Sequence, residues 1–201
     1  MKTKITLPPY TRAEEICNMT THIVGGAFGI FALLFCVGKA FLNENVWGIV
    51  SSFVYGVSII LLFTMSSIYH GLIPVKAKKV FRVIDHCTIY LLIAGTYTPI
   101  VLVSLRVVSP LWAWIVFGVV WGSALLAITL TAIDMHKFRV FSMISYLAMG
   151  WCILICLKDC ILAVGAAGMW LIFFGGVLYT IGAVIYSIGK KKNVPYAHSV
   201  F

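Results

Sequence analysis

Residues 46–72, VWGIVSSFVYGVSIILLFTMSSIYHGL, decide the architecture, because they contain no Asp, Glu, Lys or Arg. About 20 apolar residues are enough to span a hydrocarbon core as a helix. Working outward in both directions, five more segments qualify, so that the set is 18–41, 46–72, 82–104, 109–132, 138–157 and 160–189. The connections between them are short, so neighbouring helices run antiparallel. After Lys190, Lys191 and Lys192, the residues Asn193 and Pro195 read as a helix start, with a capping Asn and Pro in the first turn. The fold expected is all-α: a polytopic transmembrane helix bundle with six complete spans and the start of a seventh.

Composition agrees. The chain has 201 residues, 62% of them hydrophobic and only 10% charged, with a mean hydropathy of +1.05. A soluble core of this length cannot hide that much apolar surface, whereas a bilayer solvates it directly. No stretch is polar enough for a second unit, so residues 1–201 form a single domain. The N-terminus is not a signal peptide, since the apolar run after residue 16 is too long for one.

The formal charge is +9, from 15 Lys and Arg against 6 Asp and Glu. No basic run is interleaved with aromatics, so nucleic acid is excluded as a partner. The charge instead reports topology. Twelve Lys and Arg fall at the N-terminus and in the even-numbered connections, and three (Lys39, Arg106, Lys158) fall on the other side. This bias places the N-terminus in the cytoplasm, in a multi-pass protein of the plasma (inner) membrane.

The six cysteines form no CxxC pair and read as small buried hydrophobes; Cys152, Cys156 and Cys160 share one helix face. Small-residue pairs, Gly25 with Gly29 and Gly118 with Gly122, permit close helix approach. Packing within one bundle is the first explanation, and a homo-oligomer through these faces is the alternative. Pro99 kinks the third span, where the Thr96 and Thr98 hydroxyls can satisfy the freed carbonyls.

Polar residues gather at one depth on this map. Glu15, Asn18 and His22 share a face at the head of the first helix, and Ser66 and His70 share one near the end of the second. Asp85 and His86 open the third helix, and His198 opens the seventh. Taken singly, most have ordinary explanations. Glu15 and Asp85 suit a helix N-terminus, Ser66 can bond the carbonyl four residues back, and His86 can face headgroups. His136, beside Asp134 and Lys137, is a solvated loop residue. His22, His70 and His198 are different, because ionisable groups inside spans line cavities or bind partners. Clustered neutral imidazoles suit a metal, most naturally zinc, which lowers the pKa of a coordinated water to about 7. A nearby carboxylate such as Asp85 is placed to orient that water or take its proton. Lipid of the inner leaflet is the natural substrate.

Glu15-x-x-Asn18-x-x-x-His22, Ser66-x-x-x-His70, Asp85 and a final-helix His resemble the haemolysin III proteins, the bacterial branch of the progestin and adipoQ receptor family. Residues 66–71 and 85–99 are similar to the bacterial form, and the resemblance covers essentially the whole chain. It implies seven helices with the N-terminus inside. It also implies a zinc held by the His of S-x-x-x-H and by two His of a final H-x-x-x-H. Here these are His70 and His198, with the third ligand falling at position 202, one past Phe201. Asp85, His86 or His22 is then the substitute ligand if none follows. Glu15, Asn18 and His22 match a motif that supports the ligands.

Two readings follow for the same site. One is a zinc-dependent lipid hydrolase or amidase, with Asp85 as the catalytic carboxylate and Ser66 as its supporting hydroxyl. The other is a membrane-lipid sensor that binds without turnover. A cytolytic pore is disfavoured because no polar stripe crosses the bilayer, and a transporter because the ionisable residues avoid the midplane.

Overall fold

The computed structural model describes residues 5–192 and 194–200. Lys2, Lys4, Asn193 and Phe201 lie outside the described residues, as do the side chains of Lys190 and Lys191.

Helix α1 (Arg12–Leu42) begins well before position 18, where the apolar run starts. A capping box explains the early start. The Thr11 hydroxyl accepts from the Glu14 amide (3.2 Å), and Glu14 Oε2 accepts from the Thr11 amide (2.8 Å). Helix α2 (Val46–Gly71) is capped by Asn45, whose Oδ1 accepts from the Gly48 amide at 2.9 Å.

Helix α3 (Val75–Pro99) also starts earlier than the expected residue 82. Pro74, at φ −63°, already holds a helical φ, and the connection shrinks to Leu72–Pro74. Lys76, Lys78, Lys79 and Arg82 therefore ride on the helix rather than in a loop. Asp85 and His86 do not open α3; they lie about three turns into it. Beyond Pro99 the chain widens into a π-helix, Ile100–Leu105, and closes with the turn α4 (Arg106–Val108). Pro99 cannot donate to the Gly95 carbonyl, and the longer-range π register follows that defect. The Thr96 and Thr98 hydroxyls donate to Leu92 O and Ala94 O, both at 2.8 Å, and not to Gly95 O.

Helix α5 (Pro110–Asp134) has Pro in its first turn. Helix α6 (Arg139–Trp151) tightens into a 3₁₀ segment, Cys152–Cys156, and continues as α7 (Leu157–Lys192). The expected break near residues 158–159 is absent, so Lys158 and Asp159 are helical. The break falls at Gly165, with φ 73° and ψ 169°. There the chain doubles back: Trp151 Nε1 donates to Thr180 Oγ1 at 3.1 Å, and its ring lies 5.8 Å from that of Phe173. Helix α8 (Ala197–Val200) starts after a turn at Pro195 and Tyr196, so Pro195 precedes the helix rather than lying in its first turn.

Among the described residues there is no strand, and five helical stretches are long and apolar enough to cross a membrane. The last of these, Arg139–Gly189, contains the Gly165 break. Side chains of α3, the π segment, α5 and the 3₁₀ segment meet in an apolar core around Tyr90, Val101, Leu105, Val116, Val120 and Ile153. The outer face of α1 is lined by exposed Phe28, Phe31, Leu34 and Phe35. Such a belt is stable against lipid tails and unstable in water. At the end of the bundle opposite the N-terminus, the Arg106 guanidinium lies 4.3 Å from the Trp47 ring, with Trp114 beside it. This is an amphipathic cluster of the kind found at membrane interfaces.

The small-residue pairs separate. A Cβ at Gly25 or Gly29 would strike Phe63 or Ile59 of α2, so this pair serves packing within the bundle. Gly118 and Gly122 meet nothing within 4 Å.

Candidate functional site: an imidazole and carboxylate cluster at one end of the bundle

The site is assembled from the start of α1, the end of α2, the third turn of α3 and α8. His70, on the last turn of α2, is 3% exposed and is its centre. Its Nδ1 lies 2.6 Å from Glu15 Oε2. A carboxylate only accepts here, so His70 donates from Nδ1 and presents a lone pair at Nε2. That Nε2 lies 3.1 Å from His198 Nε2. Two nitrogens this close either share one proton or face a common cation.

Glu15 is held from its other side by Lys78, whose Nζ is 2.8 Å from Oε1. The same ammonium donates to the Leu72 carbonyl at 3.1 Å, closing the end of α2. His22 donates from Nδ1 to the Asn18 carbonyl at 2.5 Å, which again leaves its Nε2 as the lone-pair nitrogen. Its ring stands 5.7 Å from His70 and 6.3 Å from His198. Asn18, fully buried, accepts from the Ser199 hydroxyl at 2.5 Å and so ties α8 to α1.

Asp85 is 6% exposed. Its carboxylate faces Ser66, His86 and His198, with His86 Nδ1 at 3.5 Å. His86 sits at the margin, where its carbonyl accepts from the Tyr146 hydroxyl at 2.9 Å. His136 is remote. It lies in the α5–α6 turn, where Asp134 Oδ1 accepts from the His136 and Lys137 amides at 3.1 and 2.9 Å. Among the described residues, no three His, Cys, Asp or Glu side chains close on one point as a metal cage does.

Several residues of this site escaped the sequence reading. Tyr10, in the extended segment before α1, lays its ring 5.9 Å from His70 and 5.5 Å from His198. Burial, then the neighbouring Tyr186, raises its phenol well above the ordinary value, so it remains an O–H donor. Lys78 was legible only as one of the topology-setting cations. Glu14 accepts from the Tyr196 amide at 3.0 Å through Oε1. No periodicity marks Tyr10; the adjacent Pro8 and Pro9, which keep the segment extended, were the available signal.

The apolar belt, the five candidate spans and the polar cluster confined to one end define an integral membrane protein built from helices. A model of the family described as Haemolysin-III related matches residues 10–201, and the chain belongs to that family. It is 36% identical over 192 residues to a hemolysin-3 homolog of Bacillus subtilis, covering 96% of this chain and 87% of that protein. It is 34% identical over 188 residues to hemolysin-3 of Bacillus cereus, covering 94% and 83%. A more distant similarity, 25% over 201 residues and covering 94% and 76%, joins it to the human monocyte to macrophage differentiation factor, on the progestin and adipoQ receptor side of the family.

Proposed function

We propose that this chain crosses the plasma membrane six times and begins a seventh helix at α8, with its N-terminus in the cytoplasm, and that it hydrolyses a lipid amide or ester at a zinc site on the cytoplasmic side. The crossing number is supported by the doubling back at Gly165 and by contact between the two chain ends. Tyr196 bonds Glu14, so the intervening chain crosses an even number of times. The side is supported by the excess of Lys and Arg at that end.

One observation carries the metal reading: the approach of His70 Nε2 and His198 Nε2 to 3.1 Å, with Glu15 on the far nitrogen of His70. Two imidazole nitrogens on a tetrahedral zinc, each about 2.0–2.1 Å from the ion, stand roughly 3.3 Å apart. A carboxylate behind a ligating His fixes its tautomer and raises its basicity. His70 and His198 fit as ligands, and His22, with Nε2 as its lone-pair nitrogen, is the nearest further imidazole. Zinc there supplies Lewis-acid polarisation. Asp85 accepts a proton at its carboxylate, Ser66 holds that carboxylate in place by donating to it, and Tyr10, whose ring lies against both imidazoles, is a further O–H donor.

A lipid sensor without turnover is the second reading, favoured by the convergence of only two imidazoles among the described residues. The relatives' name, hemolysin-3, points to lysis, but among the described residues the bundle interior is packed with Val101, Leu105, Val116, Val120 and Ile153, an apolar core unsuited to a pore.

The test is zinc content per purified chain together with lipid turnover. About one zinc per chain is expected, lost in His70→Ala and in His198→Ala. Asp85→Asn is expected to keep the zinc and lose at least ~100-fold in turnover. Retained zinc with no turnover in the parent protein selects the sensor, and a protein that binds no zinc at all overturns the metal reading.

A further inference from the structure

At this end of the bundle the inward-facing carboxylates have partners, and one buried cation has no carboxylate beside it among the described residues. Glu15 is matched by His70 and Lys78, and Asp85 by Ser66 and His86. Arg82, on α3, is 5% exposed and has no carboxylate within ion-pair distance among the described residues. One terminal nitrogen, Nη1, donates to the Thr6 carbonyl, while its Nε is buried without a hydrogen-bond partner. Tyr69, 2% exposed on α2, likewise buries its hydroxyl without a partner. Lys78, one turn before Arg82 on the same face of α3, lies over the Tyr69 ring with its Nζ 5.3 Å from the centroid, so this face of α3 meets Tyr69. A buried guanidinium lacking an anion is strongly unfavourable, and unsatisfied buried donors each carry a further cost. Two such donors on facing helices, α2 and α3, have the character of a ligand site.

We propose that Arg82 and Tyr69 dock the phosphodiester of a phospholipid headgroup beneath the segment formed by residues 5–11. The one positive charge of the buried guanidinium calls for a monoanion, which a phosphodiester is. A guanidinium and a phenol suit phosphate oxygens, which accept from several donors at once. The position also agrees: Arg82 lies about two turns into α3, past Lys76 and Lys79, near the end of the bundle where that candidate span begins. Among the described residues the Thr6 carbonyl, on an exposed residue, accepts from the guanidinium, so an arriving phosphate displaces a backbone acceptor and gains a charge-assisted pair. Bound there, the headgroup sits beside Tyr10 and hence beside the imidazole pair. Docking itself needs no metal and does not rest on the hydrolase reading.

The experiment uses the full chain in neutral maltoside after chelation of metal, and reads the thermal midpoint against three probes: dihexanoylphosphatidylglycerol, inorganic phosphate and uncharged dihexanoylglycerol. The expected result is a saturable rise of roughly 3 °C or more with the phosphatidylglycerol at about ten times Kd, a weaker effect of phosphate, and none of dihexanoylglycerol. Arg82→Gln abolishes the rise, and Tyr69→Phe, which keeps the ring and the charge pattern, weakens binding roughly tenfold. Lys79→Gln leaves it unchanged. A response to phosphate alone makes this a free-anion site and overturns the headgroup assignment. No response, an equal response to dihexanoylglycerol, or a response that survives Tyr69→Phe at full affinity overturns the proposal even if Arg82→Gln fails to fold.

Discussion

Glu15 shows how one side chain can join three elements. Its two carboxylate oxygens accept from His70 on α2 and Lys78 on α3 while its backbone belongs to α1. As a first-turn residue it also suits the helix dipole, and that explanation is sufficient until the contacts are seen. The substitution Glu15→Gln separates the two roles. An amide at this position cannot match the charge of Lys78 and is a weaker acceptor for His70 Nδ1–H, so zinc retention is expected to fall roughly 10–100-fold, measured by competition with a zinc-binding dye. Unchanged retention would leave Glu15 with its helix-start role and its pair with Lys78. Tyr10 teaches the complementary point. It lies against both imidazoles, yet nothing in its neighbourhood of the sequence announces this, because the contact is made by a loop laid across the ends of other helices.

The helices differ in how they were positioned. Those with plain apolar runs, α2 and α5, lie close to where hydropathy puts them. The others moved where local chemistry outweighs hydropathy: the Thr11 and Glu14 capping box extends α1, Pro74 sets the start of α3, and Gly165 places the reversal inside α7. At Gly165 the φ of 73° with ψ near 169° is a region that side chains other than glycine's avoid. Gly165→Ala is therefore expected to destabilise the protein by about 1–3 kcal/mol, although a Cβ there would meet no neighbour within 4 Å. Gly56→Ala tests the opposite cause. Its backbone is ordinary helix, but the added Cβ would sit 2.8 Å from the Leu33 Cα, an atom that cannot rotate away. A loss of about 1–3 kcal/mol is expected. Gly118→Ala, with open space around it, is the control and is expected to be neutral or slightly stabilising. Thermal unfolding of the three variants in one detergent checks all of these, and equal losses would mean that close approach is not what the glycines provide.

For the molecule as a whole, the arrangement makes a topological prediction. In intact cells a membrane-impermeant maleimide should label Glu44→Cys, in the exposed turn between α1 and α2, and should leave both Arg12→Cys and Tyr196→Cys unlabelled until the cells are opened. Labelling of Arg12→Cys in intact cells would reverse the orientation, and opposite behaviour of Arg12→Cys and Tyr196→Cys would contradict an even number of crossings. The membrane class, the helical bundle and the gathering of His22, His70, Asp85 and His198 toward one end were all legible in the residues, because hydropathy and the cost of polar groups in lipid act on each segment without reference to its neighbours. The distances that give the cluster its chemistry were not legible. That His70 meets His198 and Glu15, that Lys78 belongs to the site rather than to topology alone, and that Arg82 is buried with no carboxylate partner among the described residues all depend on how four helix ends and one loop pack together. No local propensity encodes such contacts, because each is made between segments far apart in the chain.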